Sequence, residues 1–436
     1  MSPLNQQDHR RRLFTSSESI AHPTSPKLDD DLAANLQLLD ILDRSTSQED
    51  VTPSTSDSPD DPKGANNDLK RMLSLHSQVS TTSSTAQQHA KAQAEGLQIF
   101  RKIGAGACGA VFAEDGKLLV YKLAKSDDGT ELWNDYVMHS KICKHFQRFI
   151  IDEVRVPECY YFVPNSRTTY FDNSQALVKA AEDVCNVPTS VLVTERVLPL
   201  PAVTRSLLID KYCTPRNKDM AHAAIANKDC LVRVYLGSMQ GKTGGMFFSL
   251  RNFKLHLNHM LELTLNVEAM AHRMGISLAV MHWAAKTDAR DVEFVLGSST
   301  KKTPAVPSDV LDTMKPLTYT GPPSDRNEDF FRRITELWIL DFNQVRRITM
   351  DDEGVNLAVE AWRLNDPYYP KPLRETSAER HLWNAFVISY LTASQGILED
   401  ENAGKEVMEL PRKFILGITE VERAKASYSY HGIPVN

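Results

Sequence analysis

The residues best suited to chemistry are a glycine cluster, an isolated lysine and two groups of carboxylates, in that order along the chain. Gly104-Ala105-Gly106-Ala107-Cys108-Gly109-Ala110-Val111 has the form G-x-G-x-x-G-x-V. Residues this small let the backbone approach phosphate oxygens, and glycine adopts backbone angles closed to other residues. A dinucleotide-binding turn would lead straight into a helix. Here Val111-Phe112 and a Gly-containing turn from Glu114 to Lys117 follow, so a hairpin is expected. Lys122 lies on the next expected strand, in Leu119-Val120-Tyr121-Lys122. A charge among apolar residues is costly to bury without a partner, and an isolated lysine would instead face solvent. Further on, Met281-His282-Trp283 ends a helix and leads into Lys286-Thr287-Asp288-Ala289-Arg290-Asp291-Val292-Glu293, then an apolar strand, Phe294 to Leu296. Finally Trp338-Ile339-Leu340 runs into Asp341-Phe342-Asn343. This succession points to phosphoryl transfer, a chemistry of positioning and charge.

In this order the segments resemble the protein kinase and aminoglycoside-phosphotransferase superfamily, over roughly residues 97 to 420. The resemblance implies ATP and Mg²⁺. Gly104, Gly106, Gly109 and Val111 would then cover the phosphates. Lys122 would orient them, paired with an acidic residue of the following helix: Asp135, with Glu131 in reserve. The strand end Leu192 to Val197 would form the hinge, where Glu195 and Val197 meet the adenine. Asp288 falls on the catalytic base, and Arg290 where a lysine often steadies the transferring phosphate. Glu293 falls on the metal-binding Asn, and Asp341 on the metal-binding Asp.

The departures from that pattern are specific. Lys286-Thr287 replaces His-Arg, Glu293 replaces Asn, Asn343 replaces Gly, and no A-P-E segment follows Asp341. Asn is tolerable at 343 because it reaches positive φ more readily than most residues. The short remainder after Asp341 implies a small-molecule acceptor rather than a protein. Two readings stay open: a phosphotransferase to an unknown acceptor, or an inert pseudokinase serving as an intracellular interaction module. At a finer level, Trp133 to His139, Cys230 to Arg233, Phe248 to Phe253, Asp288 to Leu296 and Asn365 to Pro370 resemble a fungal family of unknown function often labelled "zinc finger protein". That likeness implies no activity. No zinc is expected, since the ligand spacing is absent.

The elements that must position these residues read as α+β. Strands are expected at Val111-Phe112, Leu118 to Leu123 and Ser190 to Val193, and a helix from about Thr130 to Ile142. After Pro199 the pattern is mainly helical: Val267, Met270, Met274, Leu278 and Met281 recur at helical spacing, as do Leu382, Phe386 and Tyr390. With the resemblance, this predicts a two-lobed kinase-like fold. A β-rich N-lobe would span 96–199, and a helical C-lobe 200–430, with a surface insertion at 299–330 rich in Pro, Ser, Lys and Asp. Residues 1–95 hold 23 Ser or Thr and one aromatic residue, Phe14. So few large apolar groups cannot offset the entropy of ordering, and a disordered tail is expected. Leu32 to Leu42 and Leu69 to Leu75 form two islands of helical pattern, nascent helices or docking helices for a partner.

Composition narrows the partners. The net charge of -6 offers no basic field for nucleic acid or a membrane, and Arg10 to Arg12 is too short a run to change that. No apolar run is long enough to span a membrane, and the N-terminus has no secretory h-region. The six cysteines are scattered, without a C-x-x-C pair, so reduced thiols and a cytoplasmic or nuclear location are expected. His139, Cys143 and His145 lie close enough in sequence to ligate a metal, and Arg251, His256 and His259 to line a pocket. Ordinary structural roles are expected for both groups.

Overall fold

A computed structural model describes residues 62–80, 99–106, 108–114, 117–126, 129–245, 247–302 and 328–430. The chain is mixed helix and sheet, with two five-stranded sheets. The first is antiparallel and runs β2 (Phe100–Ala105), β3 (Gly109–Glu114), β4 (Leu119–Ala124), β6 (Val191–Glu195), β5 (Cys159–Val163) in spatial order. Alternation sorts its side chains by face. Phe112, Tyr121, Leu123, Val191 and Val193 pack under the short helices Thr168–Asp172 and Gln175–Ala181. Val111, Val120, Lys122, Leu192 and Thr194 face the other way, into a cleft.

Between β4 and β5 runs a long helix, Thr130–Arg148, here αA. Its buried residues Leu132, Asp135, Met138, His139, Ile142 and Phe146 recur every three or four positions, so one stripe faces inward. The expected helix covers the first two-thirds of it.

The expectation of mainly helix after Pro199 is corrected by a second sheet. Its order is β1 (Gln78–Ser80), β10 (Glu328–Leu340), β9 (Glu293–Lys302), β7 (Val232–Tyr235), β8 (Phe253–His256). Only the β7–β8 pair is parallel. β7 and β8 are four residues each, and β10 carries Arg333, Thr335 and Glu336 among its apolar residues, so no clean alternation marks these strands. Strands also occupy 299–302 and 328–330, inside the expected insertion, whose middle lies outside the described residues.

The remaining helices pack against this sheet. Helix Val267–Ala279 (αB) continues as a π turn, Val280–Ala284, and lies along helix Ser377–Asp400 (αC). Gly275 permits the approach: a Cβ there would sit 2.6 Å from the Phe386 carbonyl oxygen. αC is N-capped by Thr376, whose hydroxyl accepts from the Glu379 amide at 3.2 Å and donates to its carboxylate at 2.7 Å.

Residues 62–80 correct the expected limits of the tail. Pro62–Leu73 is a helix (αN) whose Leu69, Met72 and Leu73 are buried, and β1 pairs antiparallel with β10. Thr335 on β10 donates to the Met72 carbonyl at 2.7 Å. The island Leu69 to Leu75 is therefore a docking helix whose partner is its own chain. The rest of the expected tail, with the Leu32 to Leu42 island, lies outside the described residues. Leu73 is fully buried, so Leu73→Ala should cost about 2–5 kcal/mol, by lost transfer energy and a residual cavity. Urea denaturation of the full chain reads this directly. A loss below about 0.5 kcal/mol would mean that αN is not part of the core.

Candidate functional site

The cleft encloses about 500 Å³ between the two sheets. Its roof is the β2–β3 hairpin. Lys125 donates to the Gly106 carbonyl at 2.7 Å, and the Gly106 amide to the Gly109 carbonyl at 2.9 Å. Gly109 must stay glycine, because a Cβ would lie 2.7 Å from the Leu123 carbonyl oxygen. Gly106 has nothing within 4 Å of where a Cβ would be. Val111 and Val120 on the upper side, with Leu231 and Leu340 on the lower, supply apolar lining.

Lys122 sits at the inner end. Its ammonium donates to Asp135 of αA at 2.6 Å and to Asp341 at 3.0 Å. Burial alone would lower the lysine, but Asp135 and then Asp341 outweigh it and hold the amine well above its usual range. Asp341 follows the end of β10 with φ +63°, a strained value for a non-glycine residue. Its neighbours hold it there. Phe342 is buried with its ring 4.7 Å from His139, and Asn134 donates at 2.9 Å to the carbonyls of both Asn343 and Val345. Glu131 does not reach Lys122; it accepts from Cys108, and burial, with that bond second, raises the Cys108 thiol to about 11.

The loop before β9 departs from the sequence-based assignment. Lys286, Ala289 and Asp291 all have positive φ. The resulting turns point Asp288 away from the cleft. It is buried and accepts from the Arg346 amide at 2.8 Å, the Arg346 guanidinium at 2.6 Å and the Arg290 amide at 3.1 Å. Asp288 is absent from the cleft lining, as is Arg290, whose guanidinium meets Glu360 at 3.3 Å. Asp291 lines the cleft instead. One of its oxygens accepts from Gln344 at 2.6 Å, and burial, then Asp341, raise its carboxyl above the usual range. Glu293 also lines the cleft, bound to the guanidinium of Arg233 on β7. Burial raises Glu293 to about 7, with Arg233 opposing and Asp341 and Asp291 adding.

The lining therefore gathers Gly104, Gly106, Gly109, Val111, Lys122, Asp135, Glu195, Val197, Glu293 and Asp341. It also includes Arg233, Asp291 and Gln344, which sequence reasoning missed. Arg233 carried a signal, because it is a lone charge in the apolar run Val232 to Tyr235, as Lys122 is in its own strand. Asp229 joins the two sides of the cleft. It accepts from Arg101 of β2 at 2.6 Å and from Arg251 at 3.5 Å. Arg251 thus lines the cleft, while His256 and His259 do not.

Among the described residues no three His, Cys, Asp or Glu side chains converge to hold a metal ion, and no helix is long and apolar enough to cross a membrane. His139 instead bonds the Pro157 carbonyl at 2.6 Å, and all six cysteines are free. A sequence family described as "Zinc finger protein" matches residues 337–402, the end of β10 through αC. That segment contains no cysteine and a single histidine, His381. No curated protein and no solved structure matches the chain.

The two aspartates of the loop should separate by stability. Asp288→Ala leaves buried amide donors and Arg346 without their acceptor, and should cost about 1.5–3 kcal/mol. Asp291→Ala, at the open cleft wall, should change stability by no more than about 0.5 kcal/mol. Chemical denaturation of both variants checks this, and the reverse ranking would contradict the placement of the loop.

Proposed function

We propose that the chain is a two-lobed, kinase-like protein that binds ATP with Mg²⁺ in this cleft and transfers the terminal phosphoryl group to a hydroxyl of a small molecule. The observation that carries the reading is Lys122 held between Asp135 and Asp341 beneath a glycine hairpin. That triangle joins a strand, a helix and the turn after β10, and it is the arrangement phosphoryl transfer needs. The residues also fit the ligands. Val111, Val120, Leu231 and Leu340 offer apolar faces to a planar base, Gly106 leaves room for phosphate, and Asp341 offers hard oxygens to Mg²⁺. Bound Mg²⁺ would neutralise charge on the phosphates.

In the reaction, Lys122 would orient the phosphates and Asp341 would hold the metal. The acceptor oxygen attacks the terminal phosphorus as the bond to the bridging oxygen breaks, and Asp291 takes the hydroxyl proton. Asp291 suits this task better than Asp288, because one of its oxygens is bonded to Gln344 and the other is left for the substrate. Its raised pKa also makes it a stronger base. Asp288 acts as the brace that ties the loop to Arg346. The small-molecule preference rests on the short link, residues 342–351, between Asp341 and helix Asp352–Leu364. It leaves little chain to form a platform for a protein substrate.

A second reading is supported by Asp288 facing inward: the cleft binds nucleotide and transfers nothing. Calorimetric titration of the full chain with ATP and Mg²⁺, followed by a phosphate-release assay over a hydroxyl-compound panel, separates the two. Transfer predicts binding weakened at least tenfold by Asp341→Ala. It also predicts turnover lost by at least 100-fold in Asp291→Asn with binding retained. Turnover should fall as pH drops through the raised pKa of Asp291, because the base must be ionised. Binding without turnover supports the second reading, and absence of binding contradicts both.

A further inference from the structure

Three carboxylates that line the cleft, Asp341, Asp291 and Glu293, already have a hydrogen-bonding or ion-pairing neighbour. Asp341 has Lys122 at 3.0 Å, Asp291 has the Gln344 amide at 2.6 Å, and Glu293 has Arg233. The last pair stands out, because Glu293 occupies the position where the resemblance calls for a neutral metal ligand. Its location is fixed by the sheet. Glu293 opens β9 opposite Leu340, the residue before Asp341, and Arg233 on β7 lies opposite Val295, two residues along the same strand. The guanidinium is therefore held on a rigid element beside the carboxylate that would otherwise share a cation with Asp341. Its Nε is buried and has no hydrogen-bond partner, while the guanidinium also bonds to the side chain of Tyr235, two residues on.

We propose that Arg233, by pairing with Glu293, closes the position of a second divalent ion, so that this cleft works with one metal ion, held by Asp341. The proposal rests on the nucleotide reading above and adds the metal count and a positioning residue. A guanidinium is always charged, and its planar fork matches both a carboxylate and phosphate oxygens. Bound to Glu293, it blocks that carboxylate as a metal ligand and leaves its remaining N–H groups for the anionic end of the nucleotide. Being tethered, the pair is in place at any metal concentration. This also gives the Asn-to-Glu change a purpose. A neutral side chain at 293 would leave Arg233 unpaired in a partly buried wall, whereas Glu anchors it.

The test counts ions. Mn²⁺ is titrated into the full chain, saturated with a non-hydrolysable ATP analogue, and bound ion is read by electron paramagnetic resonance. The expected result is one Mn²⁺ per wild-type chain. Arg233→Met frees Glu293 and should raise the count to two. Glu293→Gln should keep one ion with affinity within about twofold, because Glu293 is not a ligand. Two ions on the wild-type chain would overturn the proposal, and so would a tenfold or greater loss of Mn²⁺ affinity in Glu293→Gln. If Arg233→Met does not fold, the wild-type count and Glu293→Gln still decide. Failure of the analogue to bind at all is a separate outcome, which removes the nucleotide reading and this proposal together.

Discussion

The contact on which the rest depends is the ammonium of Lys122 held between two carboxylates. Its Nζ joins β4 of the first sheet, αA above it and the turn that leaves β10 of the second sheet. A charge this enclosed is tolerable only when paired, so the sequence is constrained at three distant points at once. αA must present Asp135 on its buried stripe. The turn at Asp341 must accept a left-handed backbone, and Asn134 and His139 brace it from the same helix. The geometry of the cleft thus depends on how firmly αA is seated between the first sheet and the turn after β10.

That seating extends beyond the site. Backbone bonds from Arg155 to Leu337 and Ile339, and between Leu198 and Ser298, tie the first sheet's flank to the second sheet. β10 lies at the centre of this arrangement: it pairs with β9 along its length, receives β1 at its far edge and ends at Asp341. αN packs beneath it. The N-terminal segment therefore supports the strand that delivers Asp341 to the cleft, although nearly 30 residues separate αN from the glycine hairpin.

Much of this was legible in the sequence, for identifiable reasons. Lys122 stood out as a charge within an apolar strand, Asp135 as an acid on the inward stripe of the next helix, and Asp341 as a carboxylate at the end of an apolar run. These signals are local and survive folding. The loop at 286–293 was not legible, because spacing alone does not reveal a left-handed turn at a non-glycine residue. Positive φ at Ala289 and Asp291 puts Asp291 rather than Asp288, three residues before it, in the cleft wall. Of the second sheet only the Phe294 to Leu296 stretch of β9 was legible as strand, because β7 and β8 are four residues each and β10 carries Arg333, Thr335 and Glu336 among its apolar residues. Of the docked segment 62–80 only the Leu69 to Leu75 island was legible, because its anchor, Leu69, Met72 and Leu73, is small beside the polar chain around it.

The central claim is that Lys122 lies where nucleotide phosphates bind. An ATP acyl-phosphate carries a reactive carbonyl at its terminal phosphate and acylates a lysine amine within reach. Treating the full chain with this reagent and mapping the acylated lysine by mass spectrometry tests the claim directly. The account predicts modification at Lys122 that is suppressed by excess ATP with Mg²⁺. Labelling spread over surface lysines with Lys122 spared, or labelling of Lys122 that ATP does not suppress, would contradict it.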